Sequence, residues 1–385
     1  MSTLTTRWMA QSQVVWTTFL ILGLGHGMVA AEEPMVLVSS FAAGKEGGFS
    51  SYSLDPASGQ LTLRHRIEAI PHPFFFDVTP DHKRLYSIYA ETFGGEQPEQ
   101  LAAYRLDKRS GSLELLNQQT TKGSASCFVA IDATGQTVLV ANYATGSVVS
   151  FQINDDGSLS PPISFVQHVG SSVNEARQKG PHAHCFVISP NNQFAYAADL
   201  GIDQILCYAL DPSRGALKPN QQPFVRTPPG SGPRHLTFHP DGKKMYVINE
   251  LLNSVTHYDF LPDSGLLIER ATISTLPEGY TGESYCADLK ITPNGKFLYG
   301  TNRGHDSIAM YRIAADGTLL LIGIVPSLGK GPQNLAITAD GRLLLCANMP
   351  GNNVAVFHID PQTGTLKSLG TPVEVTSPSC IRILE

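Results

Sequence analysis

The sequence predicts an all-β fold, a seven-bladed β-propeller of four-stranded blades, and three observations carry that prediction. A Gly-x-Leu tripeptide recurs seven times, at Gly59, Gly111, Gly157, Gly215, Gly265, Gly317 and Gly364, a period of roughly fifty residues. An alternating strand precedes each one, as in Cys207-Tyr-Ala-Leu-Asp211 and Val356-Phe-His-Ile-Asp360, with the period of two that sets one side of a strand against a core. A second turn falls once per repeat, at Pro80-Asp81, Asp132–Gly135, Pro190-Asn191, Pro240–Gly242, Pro293–Gly295 and Ala339–Gly341.

Proline presets φ and Asn/Asp-Gly tolerates left-handed backbone, so each repeat holds four strands with hairpins at both turns. Units of this length pack radially as blades and leave only short edges open. A β-helix needs shorter repeats, and a sandwich has no sevenfold period. Met35–Val38 reads as a strand, and Pro378–Leu384 as an innermost strand without partners. The two termini are therefore expected to share one blade and close the ring, making 32–385 a single domain. With 35 Gly, 26 Pro and 16% charged residues, the composition favours many short strands over long helices.

Residues 1–31 stand apart. Arg7, an apolar run from Val14 to Leu24 and the small residues Val29-Ala30-Ala31 read as the three parts of a signal peptide. An uncleaved anchor is the alternative, weakened by Gly23, Gly25, His26 and Gly27. No later segment is long and apolar enough to span a bilayer, so the mature chain is expected to be soluble and exported, periplasmic or extracellular. Net charge −6 disfavours nucleic acid and anionic membranes as partners and leaves a small molecule. The six cysteines, Cys127, Cys185, Cys207, Cys286, Cys346 and Cys380, are scattered through apolar strands with no C-x-x-C pair. They read as buried hydrophobes, with pairing of two of them left open in an exported chain. No metal site, P-loop, dinucleotide fingerprint or Gly-x-Ser-x-Gly elbow is present, so no cofactor is expected.

The first strand of each propeller blade lines the central channel, so equivalent positions form rings. Six residues before the second turn the ring reads Phe74, Cys127, His184, Arg234, Ala287, Gln333. Nine residues after it stand Tyr89, Asn142, Asp199, Asn249, Asn302 and Asn348, and ten after it Ala90, Tyr143, Leu200, Glu250, Arg303 and Met349. The Asn-rich ring reads as architecture, a short polar side chain bonding nearby backbone. Ionisable residues break the pattern only in blades four to six: His184 and Asp199, then Arg234, His235 and Glu250, then Arg303, with His182 just ahead of the fourth inner strand. Arg234 and Arg303 suit a carboxylate, a phosphate or a developing oxyanion. Glu250 can activate water, and His184 or His182 can supply an acid. The bland alternative is a buried Arg–Glu pair that braces the channel, with His182 bonding backbone.

Gly180-Pro-His-Ala-His184, Asp199-Leu-Gly-Ile-Asp203, Gly232-Pro-Arg-His235, Asn249-Glu250 and Asn302-Arg-Gly-His-Asp306 together resemble the motifs of the seven-bladed propeller lactonases. That family includes bacterial 6-phosphogluconolactonase and fungal carboxymuconate cyclase. The resemblance spans the mature chain and implies a lactone site in the channel, with Glu250, His184, Arg234 and Arg303 as catalytic residues. His182, Asp199, His235 and Asn302 are expected around the substrate. The implied reaction is hydrolysis of a sugar lactone, 6-phosphogluconolactone first. The alternatives are a muconate-type lactonizing isomerase and a non-catalytic exported propeller that binds a ligand or protein. Two departures stand out. Gln333 occupies a position where members often carry Arg, and the leader sits awkwardly with a cytosolic phosphorylated substrate.

Overall fold

In the computed structural model, which describes residues 1–2 and 33–385, seven four-stranded antiparallel sheets follow one another. The inner strand of each packs on the inner strand of the next until the ring closes. Blade 1 is ordered Pro378–Leu384, Met35–Ser40, Gly48–Leu54, Leu61–Glu68. Its C-terminal strand pairs antiparallel with the N-terminal one, Met35 opposite Leu384 and Val36 opposite Ile383, so the termini close the ring as expected. Among the described residues the only helix is the 3₁₀ turn Gly44–Glu46, and no helix is long and apolar enough to cross a membrane. The expected leader lies outside the described residues apart from its first two.

The Gly-x-Leu turn earns its repetition by joining blades. All seven glycines adopt positive φ, which costs glycine nothing. At Gly265 a Cβ would also sit 2.5 Å from the Phe194 ring of the preceding blade. The Gly265 carbonyl accepts the hydroxyl of Tyr196 from that blade at 2.7 Å. The same bond recurs from Tyr86 to Gly157, from Tyr246 to Gly317 and from Tyr299 to Gly364. An aromatic body thus fills the space between blades while its hydroxyl is satisfied by a turn carbonyl.

The Asn ring is architectural. Asn142, Asn302 and Asn348 donate from Nδ2 to the backbone carbonyls of Thr121, Thr275 and Ser327 at 3.1, 2.8 and 3.0 Å. Each thereby ties a strand end to the connection that enters its own blade.

The inner strands share a second device. Their pairing breaks register between Ser126 and Phe128, Ala183 and Cys185, Pro233 and His235, Cys286 and Leu289, and Pro332 and Asn334. A bulge inserts an unpaired residue and re-aims its side chain. The residues so inserted are Cys127, His184, Arg234, Gln333 and, in blade 6, Ala287 with Asp288.

All six cysteines are free and buried. A thiol reagent is therefore expected to label none of them in the native protein and all of them in denaturant, and reductant to leave the melting temperature unchanged. Fast labelling of the native protein, or a melting point that falls with reductant, would count against this placement.

Candidate active site

The bulges and strand ends converge on one cavity of about 210 Å³. Cys127, His184, Arg234 and Gln333 reach it from the inner strands, Phe74 from just ahead of one, and Tyr143, Glu250, Arg303 and Met349 from the ends of the second strands. Phe93, Ala125 and Arg177 complete the wall.

Glu250 is the hub. It follows the strand Lys244–Asn249, and its backbone N–H is fixed on the Gly232 carbonyl at 2.7 Å. Three guanidiniums reach its carboxylate. Arg177 Nη2 lies 2.7 Å from Oε1, while Arg234 Nε and Arg303 Nη2 lie 3.0 and 2.9 Å from Oε2. Burial by itself would raise the Glu250 pKa, but Arg303, Arg234 and Arg177 together outweigh it and hold the carboxyl below its ordinary range. Glu250 is thus ionised at neutral pH although almost fully buried.

Arg234 is only 1% exposed. Burial and the neighbouring Arg303 pull its pKa down to about 10, against the pull of Glu250. It still carries its charge at neutral pH. Its Nη1 donates to the Ala287 carbonyl and to His235 Nε2. His235 Nδ1 faces Asp288 Oδ1 at 2.8 Å. Because a guanidinium can only donate, His235 Nε2 accepts, and a neutral imidazole must carry its proton on Nδ1 toward Asp288. Burial and Arg234 lower the His235 pKa to about 4, with Asp288 opposing them, so the imidazole is neutral. Burial would raise the Asp288 carboxyl, but Lys290 and His235 reverse this and leave it well below the carboxylate range.

His184 is also neutral. Burial first, then Arg234, pushes its pKa well below the usual imidazole value. Its Nδ1 lies 3.6 Å from Cys127 Sγ. Burial raises the Cys127 pKa far above the ordinary thiol value, with Arg234 pulling the other way, so this group is a thiol and not a thiolate.

The family described as "Lactonase, 7-bladed beta-propeller" matches residues 35–383. The chain belongs to this family. A 6-phosphogluconolactonase of Bacillus subtilis is 34% identical over 350 residues, covering 90% of this chain and 97% of that protein. One from Formosa agariphila is 32% identical over 355 residues, covering 90% and 99%. Among solved structures, the periplasmic gluconolactonase of Pseudomonas aeruginosa superposes with a TM-score of 0.85 at 31% identity, covering 91% of this chain and 99% of that one.

The propeller-lactonase motifs divide in space. Glu250, His184, Arg234 and Arg303 meet at the cavity. His182 stacks on Tyr143 with ring centroids 4.5 Å apart, and its Nδ1 bonds the Tyr143 carbonyl. His235 stands behind Arg234, buried. Asp199 and Asn302, expected at the substrate, are fully buried and engaged within the protein. Asp199 accepts from the backbone N–H of His182 and Gly201 and pairs with His168 at 2.6 Å. Asn302 bonds the Thr275 carbonyl and Ser307 Oγ. Neither has a polar face left for a ligand. Arg177 is the residue the ring comparison missed. It lies in residues 168–182, the longest connection between blades, which has no counterpart elsewhere in the repeat. An arginine inside an oversized connection was the available signal.

Proposed function

We propose that this chain is an exported lactonase that hydrolyses a sugar lactone bearing an anionic group, with 6-phosphogluconolactone as the first candidate. The observation that carries the reading is charge. Arg177, Arg234 and Arg303 face one carboxylate, Glu250, across a cavity whose His184 is neutral and whose Cys127 is a protonated thiol. The wall holds an excess of positive charge in a poorly solvated place, where it favours an anionic ligand strongly. A lactone ring is neutral, so the matching charge must sit on a substituent. A phosphate monoester supplies close to two negative charges at neutral pH. The names of the Bacillus and Formosa relatives point to the same substrate, and that of the Pseudomonas neighbour to a periplasmic gluconolactone enzyme.

In the mechanism that follows, water adds to the lactone carbonyl as Glu250 takes its proton. Arg234 or Arg303 stabilises the oxyanion that forms. The ring C–O bond then breaks, and the proton passes from Glu250 to the departing ring oxygen. Three guanidiniums make Glu250 a weak base but its conjugate acid a strong one, which suits the return step. His184, neutral at rest, orients the attacking water and does not serve as the resting acid.

Purified protein assayed on 6-phosphogluconolactone and on glucono-δ-lactone tests the reading. Hydrolysis above the spontaneous rate is expected for both, with the phosphorylated lactone preferred. Failure on every lactone would remove the proposal. The pH dependence gives a separate check with glucono-δ-lactone, which has no phosphate to titrate. Glu250 titrates below the carboxylate range and His184 far below the imidazole range, so kcat/KM should be flat from about pH 5 to 7. An inflection near the ordinary imidazole pKa would transfer the base role from Glu250 to a histidine.

A further inference from the structure

The three guanidiniums are not equally free. Arg234 is committed to Glu250, the Ala287 carbonyl and His235. Arg303 is committed to Glu250 and to the carbonyls of Tyr285 and Cys286. Arg177 uses only Nη2, toward Glu250 Oε1 and Tyr143 Oη at 2.7 and 3.1 Å. Among the described residues its Nε and Nη1 have no partner, and a third of its side chain is exposed. Its guanidinium carbon lies over the Tyr285 ring, 5.7 Å from the ring centre.

The connection that carries Arg177 is fastened along its length by two buried carboxylates. At its ends, Asp199 Oδ2 meets His168 Nδ1 at 2.6 Å, and Asp199 Oδ1 accepts the N–H of His182 at 2.7 Å. In its middle, Asp203 accepts from Ser172 Oγ at 2.5 Å and from Gln178 Nε2 at 2.8 Å. Gln178, next to Arg177 and fully buried, also donates to the Leu200 carbonyl at 2.8 Å and accepts the N–H of Asn174 at 3.0 Å. Asn174 Oδ1 in turn accepts the N–H of Arg177 itself at 3.1 Å. A segment that crosses the rim of the channel is thus tied down at its ends and its middle. Of the three guanidiniums on Glu250, the one it supplies has the most nitrogens without a partner among the described residues, two against one each for Arg234 and Arg303. Fixing a recognition group before the ligand arrives removes its ordering cost from binding.

We infer that Arg177 is the specificity-determining residue for the anionic substituent, and that the Asp199–Asp203 motif serves to hold it in place. The inference rests on the lactonase reading for its substrate and on the strap geometry for its residue. An arriving phosphate or carboxylate takes the two free donors of Arg177 and competes with Glu250 for the third. Drawing Arg177 off Oε1 leaves that oxygen open to water, so binding of the charged group and activation of the base are one event. A neutral lactone cannot make this exchange and meets Glu250 with Arg177 still on Oε1, so it is hydrolysed by the same base but more slowly.

The test is kinetic, with Arg177→Met assayed on phosphorylated and unphosphorylated gluconolactone. Loss of one charge-assisted contact should lower the ratio of kcat/KM for phosphorylated over unphosphorylated lactone by about 10- to 100-fold. Asp203→Asn, which loosens the strap but keeps the arginine, should move the same ratio in the same direction by less, and Arg177→Lys should restore part of it. A ratio unchanged in Arg177→Met overturns the inference while leaving the lactonase reading in place. Titration with inorganic phosphate separates the two in the other direction. If the wild type cleaves no lactone but binds phosphate, and Arg177→Met does not, anion recognition stands and the lactonase reading falls. Equal phosphate binding by both proteins overturns the inference.

Discussion

The Glu250→Gln substitution is expected to lower kcat for lactone hydrolysis by about 10²- to 10⁴-fold, the usual span for loss of a general base. The amide keeps the shape and one acceptor oxygen but cannot take a proton from water. The competing role, a carboxylate that only braces its arginines, makes a different prediction. In that case the freed guanidiniums would alter substrate binding, KM would change, and kcat would stay within a few-fold. Stability must be followed alongside. Arg177 and Arg303 are partly exposed and can turn to solvent, whereas Arg234 is sealed in. Leaving a buried charge unpaired costs about 3–5 kcal/mol, offset in part here by the remaining amide oxygen. Kinetics should therefore be read below the melting point of the variant. The pH direction follows from the lowered pKa of Glu250. Its contribution to stability is present above the unfolded carboxylate pKa and is lost as pH falls through the lower folded value. A kcat within a few-fold of wild type in folded Glu250→Gln would sink the base assignment.

The blades were legible because a repeat states its own period. Seven glycines at a spacing of roughly fifty are required by a positive φ, and four of them also by the tyrosine latch on the neighbouring blade, so the physical constraint and the sequence signal coincide. Ring closure was legible for the same reason, since Pro378–Leu384 looked like an inner strand lacking partners. Ring comparison also found most of the cavity wall, for residues at one position in successive blades face one place. It failed where that logic stops. Asp199 and Asn302 belong to a ring whose side chains face connecting backbone, while Glu250 and Arg303, one residue later, face the channel. Alternation along a strand separates the two, but the sequence alone does not state which parity faces inward at the ends of the second strands. Arg177 lies outside the repeat altogether. Asp288 is hidden for a subtler reason: it shares the blade 6 bulge with Ala287, and only the three-dimensional pairing shows that this bulge admits two residues.

Asp288→Ala is expected to destabilise the protein by about 3–5 kcal/mol, the cost of removing one partner from a buried charge network. Asp288 is buried and accepts from four groups: His235 Nδ1 at 2.8 Å, Lys290 Nζ at 2.7 Å, Asn334 Nδ2 at 2.8 Å and the Leu335 N–H at 2.9 Å. These partners come from blades 5, 6 and 7. Asn334 Oδ1 passes the chain of bonds to the Ile381 N–H of blade 1 at 2.9 Å, and Arg382, next to Ile381, pairs with Asp77 of blade 2, which also accepts the Ile131 N–H of blade 3. A run of polar contacts thus links the inner strands of six of the seven blades, and Asp288 is its branch point. Alanine would strand several buried donors at once and free His235 to change tautomer, which removes the acceptor that orients Arg234. Activity should fall through KM as well as through the folded fraction. The sign of the pH effect follows from the depressed pKa. Wild-type stability from this group is full above the unfolded value and declines as pH drops below about 4, so the gap between wild type and Asp288→Ala in urea melts should narrow there. Asp288→Asn, which keeps one acceptor oxygen, should lie between the two. A variant within about 1 kcal/mol of wild type at pH 7, inside the range of an ordinary surface substitution, would mean that this run of contacts does not bear on the stability of the ring.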